Sequence, residues 1–415
     1  MPRSCGRGDG SLRGTVWREI WDNRDCYLYL LPFYAIFLLF VVLPVLISIF
    51  FSFTYYNVFQ SPEWVGWKNY IHLLASDEVF LQAVKNTFLI ALVTGPVGYF
   101  VSLMVAWLIS DLRPGLRAVM VTVMYAPSIS GGAFAVWKLF FSGDSYGYIN
   151  SLLLRFGLVS SPVQFLTDSR YMIWVCILVT VWMSLGAGFL SFVSGFQTID
   201  RSMYEAGYVE GIRNRWQELW YITLPTMKPQ LMFGAVMSIT SAFSCGDVST
   251  NLFGFPSTDY AAHTVINHMV DYGTTRMDMG YACTIATLLF AVMIGANQMI
   301  QRLLEKVGRE TMTEKATLPR EIRPGAVGQS HAGRFWGLLV LCLLGSAMVL
   351  PLIYVVCNAF KPLDELYVFP PRFFVRNPTV GNFRALANLL GESQVPMIRY
   401  IFNTIFVTAV ATGLH

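Results

Sequence analysis

An all-α, polytopic bundle of membrane-spanning helices is the fold class this sequence predicts, on three observations. Apolar residues make up 55% of the 415-residue chain and charged residues 13%, about half the charged share of an ordinary soluble domain. The apolar residues gather in continuous runs, most of them at least as long as the roughly 20 residues a helix needs to cross the hydrocarbon core. Those runs are unbroken rather than alternating, which excludes a β-barrel, the other spanning form that satisfies its own backbone. Lipid is therefore the solvent for most of the chain.

Seven runs qualify as spans: residues 27–53, 88–110, 116–140, 172–196, 231–253, 279–303 and 335–357, with an eighth opening near Tyr400. Residues 1–26 form a polar tail, and the apolar run after it is too long for a cleavable leader, so it stays as an anchor. Placing the N-terminus in the cytoplasm puts 18 of the 29 Lys and Arg residues on the inner side, the bias that membrane insertion favours. The net charge of +4 is small and scattered and gives no basic face for nucleic acid. Seven cysteines and five histidines show no ligand spacing, so neither a metal centre nor a cofactor is expected.

Charge is almost absent from the runs: Arg117 and Lys138 sit at the two ends of the third, Asp247 near the end of the fifth, and Arg302 closes the sixth. Proton- and ion-coupled carriers bury carboxylates or histidines to relay charge. A transporter without that relay takes its energy from elsewhere. An ion-coupled secondary carrier is thus the rival reading, and a membrane enzyme has no constellation of catalytic residues to support it.

The second half of the chain echoes the first. Leu43-Pro44 is answered by Leu350-Pro351, Val65-Gly66 before Asn69-Tyr70 by Val380-Gly381 before Asn382-Phe383, and Asn86-Thr87 by Asn403-Thr404. Three matches in order indicate a parallel repeat. The organisation expected is a tail (1–26), a six-helix module (27–303), a cytosolic linker (304–334) and the opening of a second module (335–415). On this reading the chain is a fused pair cut early in its second half, and a non-functional fragment is a further alternative.

The segment between the fourth and fifth runs is the most specific. In IDRSMYEAGYVEGIRNRWQELWYITLP, Ser202-x-x-Glu205 has the form of a capping box that starts a short helix. Gly211 suits the left-handed residue that ends it. Trp216, Leu219 and Trp220 share a face of a second amphipathic stretch, and Pro225 fits the first turn of the next span. The segment resembles the E-A-A-x3-G-x9-I-x-L-P loop of binding-protein-dependent ABC importer permeases, through Glu205, Ala206, Gly211, Ile222, Leu224 and Pro225. Gly207 stands where the pattern has a second alanine, and ten residues rather than nine separate Gly211 from Ile222. Looser strings such as VGWKNY, YGYINSLL and MGYACTIATLLF resemble the carbohydrate (maltose-type) branch of that family.

The resemblance implies a helical permease of the type I ABC importer kind in the cell (inner) membrane. Its expected partners are ABC ATPase subunits, a second permease module and an extracytoplasmic solute-binding protein. The loop is then the ATPase-coupling element. This chain has no phosphate-binding G-x4-G-K-[ST] loop, so hydrolysis belongs to the partner subunits. A sugar pathway at mid-membrane calls for hydroxyls, amides and aromatic faces. Trp182, Ser184, Ser238, Ser241, Asn251 and Tyr281 are the candidates, each of which also reads as helix packing.

Overall fold

Lipid leaves a backbone N–H no partner outside its own helix, and the apolar runs are accordingly helical. The computed structural model describes residues 24–130, 133–314, 331–366, 368, 371–391 and 397–414. Among these, six helices are long and apolar enough to cross a membrane: Tyr29–Phe51, Glu78–Ser110, Ser169–Thr198, Lys228–Phe253, Met279–Leu303 and Trp336–Ala359. A shorter apolar stretch, Ile398–Gly413, coincides with the eighth run. The one strand pair among the described residues is two residues long, Thr54–Tyr55 against Glu63–Trp64.

Three expectations are corrected. The third run is two helices, Pro114–Ile129 and Ala133–Phe140, bent from each other by 83°; Pro127 sits in the last turn before the break, where a missing N–H weakens the ladder. The sixth helix does not stop at Leu303 but continues to Glu314, so the polar linker expected from residue 304 begins as helix. Residues 315–330 of that linker, and 1–23 of the tail, lie outside the described residues. The fourth and fifth spans are each broken, into Ser169–Trp182 and Ala187–Thr198, and into Lys228–Phe243 and Gly246–Phe253.

Two wide turns have a common cause. Leu38–Val42 and Leu219–Thr223 are single π-helical turns, each followed by Leu-Pro. In both, the N–H of that leucine reaches back five residues, Leu43 to the Leu38 carbonyl and Leu224 to the Leu219 carbonyl. Widening the turn relieves the clash between the proline ring and the carbonyl four residues earlier.

The chain divides into two compact units, Met1–Ser76 with Met269–Leu289, and Asp77–His268 with Phe290–His415. In the first, Asn69 Nδ2 donates to the carbonyls of Ser52 (3.2 Å) and Thr54 (2.9 Å), and Thr284 Oγ1 donates to Ser52 O at 2.9 Å. These bonds tie the end of the first span to the segment that follows it and to the sixth helix.

The larger unit packs the second span against the second half of the fourth, Ala187–Thr198, and the first half of the fifth, Lys228–Phe243. Phe189, Phe192, Ile109 and Met227 are fully buried there, with Leu341 and Met348 of the helix His331–Ala359 in the same core. The approach is close at Gly234, where an added Cβ would lie 2.3 Å from Phe192 Cζ. Small residues permit such contact between membrane helices. Because Phe192 is itself buried and cannot swing aside, Gly234→Ala is expected to destabilise the protein by about 2 kcal/mol, read as a lower unfolding midpoint in detergent.

The larger unit also repeats the Asn69 device. Asn382 Nδ2 donates to Ala359 O (3.1 Å) and Lys361 O (2.7 Å). Phe53 and Tyr70 meet as tilted rings with centroids 5.3 Å apart, and so do Phe360 and Phe383. The Phe53 carbonyl accepts from Gly66 N at 3.0 Å, the Phe360 carbonyl from Thr379 N at 2.8 Å. The internal repeat seen in the sequence is therefore also a repeat of local geometry.

Candidate functional site

The loop between the fourth and fifth spans folds as helix, glycine turn and helix. Its first helix, Arg201–Val209, is capped by Asp200, whose Oδ1 accepts from Ser202 N at 3.0 Å. This corrects the Ser202–Glu205 capping box: Asp200 has the extended backbone of a cap, and its carboxylate faces the positive end of the helix dipole. Glu205 instead makes an exposed pair with Arg201, 3.4 Å apart, worth a few tenths of a kcal/mol at most.

The helix ends in a Schellman motif. Gly211 N donates to Tyr208 O at 3.2 Å and Ile212 N to Gly207 O at 3.0 Å, with Gly211 at φ +101°. That backbone favours glycine. Gly207 has a reason of its own, since an added Cβ would lie 2.6 Å from Ile222 Cδ1 and 3.0 Å from Ile212 Cδ1. The departure from the usual alanine is matched by two isoleucines seated over the helix.

A second cap follows. Asn214 Oδ1 accepts from Gln217 N at 2.9 Å, while Gln217 Oε1 accepts from Arg213 N at 2.8 Å. The helix Arg215–Glu218 runs into the π turn and a short helix, Leu224–Thr226, that contains Pro225. The span itself starts at Lys228, with Pro229 in its first turn, so the role expected of Pro225 falls to Pro229. Trp216 and Trp220 are exposed while Leu219 is buried, because the π turn rotates the apolar stripe after Glu218.

Arg215 ties this loop to the end of the second span. Its Nη1 lies 2.6 Å from Asp111 Oδ2 and its Nη2 donates to the Trp107 carbonyl at 2.7 Å. The guanidinium lies 4.4 Å from the centre of the Trp107 ring, which packs on Trp216 at 4.7 Å. A cation at a helix C-terminus meets the negative end of the dipole. Burial lowers the Arg215 pKa and Asp111 opposes it; arginine stays charged. Tyr204 bonds Thr223 Oγ1 at 3.1 Å, and burial raises its pKa. Tyr208 is pushed up to about 12 by burial and by a hydrogen bond to Glu218. Both phenols thus remain protonated at neutral pH. Met203, Glu205 and Val209 of the first helix are exposed, the last two on the side away from Gly207.

A cavity of about 160 Å³ lies where the fourth and fifth spans break, lined by Thr94 and Ser102 of the second span, Thr180 and Ser184 of the fourth, and Ser238 and Ser241 of the fifth. Ser184 and Thr180 spend their protons on their own helix, on Val181 O and Cys176 O, each at 2.7 Å. Ser238 donates to Gly95 O across helices at 2.8 Å. Thr94 differs. It is 3% exposed and its Oγ1 has no partner.

Of the six pathway candidates, Ser184, Ser238 and Ser241 line this cavity. Trp182 is buried, edge-on to Trp137 at 5.4 Å, with Nε1 donating to Ala347 O at 3.4 Å. Asn251 donates to the carbonyl of Asp247 on its own helix at 2.8 Å. Tyr281 belongs to the smaller unit, hydrogen-bonded to His72 Nδ1 at 3.1 Å. Sequence reasoning missed Thr94 and Arg215. Thr94 lies within the second apolar run and Arg215 is one of the inner-side basic residues, and neither belongs to a local pattern that marks it out.

Spans broken beside a hydroxyl-lined cavity, with a capped helix–turn–helix between the fourth and fifth, mark an integral membrane protein built around a polar cavity. The chain belongs to the family of binding-protein-dependent transport system inner membrane components, whose signature matches residues 96–306. It is 36% identical over 225 residues to the probable ABC transporter permease protein YesP of Bacillus subtilis (strain 168), covering 54% of this chain and 71% of that one. It is 30% identical over 292 residues to the probable ABC transporter permease protein YurN of the same organism, covering 68% and 97%. A chain from the crystal structure of a bacterial ABC transporter that imports the acidic polysaccharide alginate aligns with TM-score 0.54 and 25% identity, over 69% of this chain and 99% of that one.

Proposed function

We propose that the chain is a permease subunit of an ABC importer for carbohydrates, driven by separate ATPase subunits through the helix Arg201–Val209. The observation that carries this is the way the helix is held. Its inner side, with Gly207, is seated under Ile212 and Ile222, and the following turn is strapped by Arg215 to Asp111 and Trp107. Its other side is left exposed. A short helix fixed at its base and open on one side can transmit a push from a partner without unfolding.

In this reading the N-terminus is cytoplasmic, residues 27–303 form one permease module that pairs with a second, and residues 335–415 echo the start of that module. A binding protein delivers solute from outside. When ATP closes the ATPase dimer, the two coupling helices are drawn together and the broken spans rock around the cavity. The relatives named as sugar-polymer permeases, such as the arabinooligosaccharides transport system permease protein AraP of Bacillus subtilis (strain 168), support carbohydrate as the solute class.

Glu205→Lys reverses charge on the open side of the helix and gives up only the weak exposed pair with Arg201. It is expected to leave membrane insertion unchanged and to abolish co-purification of the ATPase subunits. Normal co-purification would end the docking role of this helix.

A further inference from the structure

We propose that Trp64 and Trp67 form a ledge seated in the boundary between the hydrocarbon and headgroup layers, at the C-terminal end of the first span, and that this ledge sets the depth of that helix. The partner is the lipid surface itself.

The depth of a membrane helix is fixed by packing against its neighbours or by anchors at the interface. Packing does little for the first span, since none of the residues from Tyr29 to Phe51 is buried. Two indoles lie against its end instead. Trp64 stacks on Phe53 with centroids 5.7 Å apart and meets Phe50, in the last turn of the span, at 6.0 Å. Trp67 meets Phe53 edge-on at 5.0 Å. These contacts put both rings at the level where the apolar span ends, yet Trp64 is 66% exposed and Trp67 65%. An indole joins an apolar body to an N–H donor, the combination that favours the headgroup level.

The internal repeat supplies a control. Thr379 stands where the first copy has Trp64, and Gly381 is followed directly by Asn382, with no counterpart of Trp67. The second copy closes all the same, through Asn382 and the Phe360–Phe383 contact, so this local structure forms without the indoles. Its preceding helix, His331–Ala359, is held in another way: Leu341 and Met348 are buried, and Tyr354 packs on Phe140 at 5.7 Å and on Tyr148 at 5.0 Å. The helix anchored by protein contacts is followed by no indole ledge. The helix without a buried residue is followed by one.

The test places p-benzoylphenylalanine at position 60, 64 or 67 of the full chain. Each protein is irradiated in nanodiscs of phosphatidylethanolamine and phosphatidylglycerol, and in membranes of the expressing cells. Phospholipid adducts at 64 and 67 are expected to exceed those at 60, in the exposed turn beside Asn57, by about fivefold. Hydrogen exchange of residues 43–53 in nanodiscs is the second measurement. It is expected to quicken about threefold in the double variant Trp64→Ser, Trp67→Ser, with the unfolding midpoint unchanged. Trp64→Tyr with Trp67→Tyr should restore the wild-type rate, because tyrosine also favours the interface. Protein adducts in place of lipid in the cell membranes would overturn the proposal and assign the ledge to a protein partner. Equal lipid adducts at all three positions, or unchanged exchange in the serine variant, would overturn it as well. So would a fall in midpoint shared by the serine and tyrosine variants, which would mark the indoles as packing residues.

Discussion

Gly211→Pro is expected to abolish coupling while the protein still reaches the membrane at its normal level. Proline fixes φ near −65°, whereas residue 211 sits at +101°, and proline also deletes the N–H that Gly211 donates to the Tyr208 carbonyl. The change costs about 3 kcal/mol locally, more than a single short helix can supply from its own hydrogen bonds. The span helices on either side do not depend on that turn, since lipid enforces them separately. The measurement is binding-protein-stimulated ATP turnover of the reconstituted importer, beside an immunoblot of membranes. Gly211→Asn, which tolerates a left-handed backbone, should retain most of the turnover. Equal loss in both variants would show that the glycine matters for something other than its backbone angle.

Arg215→Met is expected to have an effect nearly as large, through stability as well as coupling. The guanidinium serves Asp111, the Trp107 carbonyl and the Trp107 ring together. Side-chain exposures of 23% for Arg215 and 34% for Asp111 place the pair between surface and core. Breaking it therefore costs about 2 kcal/mol, above a surface pair and below a fully buried one. Arg215→Lys should not rescue, because an ammonium cannot bond two groups in a fork while stacking on indole. Asp111→Asn combined with Arg215→Met should be less damaging than the sum of the two single changes, since it also removes the carboxylate that Arg215 balances. Thermal unfolding in detergent measures the cycle, and strict additivity would mean the two residues act independently.

The spans and the loop were legible because each is a local pattern. A hydrophobic run longer than the bilayer is thick declares itself without knowledge of its neighbours. The turn at Gly211 was legible for a similar reason: a short helix must end, and glycine ends it cheaply. The cap was misread because Ser202 and Asp200 are both capable caps, and the pattern of spacing alone favoured the wrong one. Asp200 won through a backbone already extended at φ −66°, ψ 133°, a property that spacing does not encode. The Ile222 contact with Gly207 was hidden in the same way, since it depends on where the returning chain passes.

The sequence by itself determined that this is a multi-span helical membrane protein, which of its loops resembles a coupling element, and that its second half repeats the opening of its first. Hydropathy and short-range turn chemistry carry that information along one dimension. Only the tertiary structure decided where the spans break, that the Thr94 hydroxyl is buried without a partner, and that Arg215 straps the loop to Trp107, 108 positions earlier. Those features are meetings between distant segments, and a polar atom in lipid is cheap or costly according to the partner it finds there.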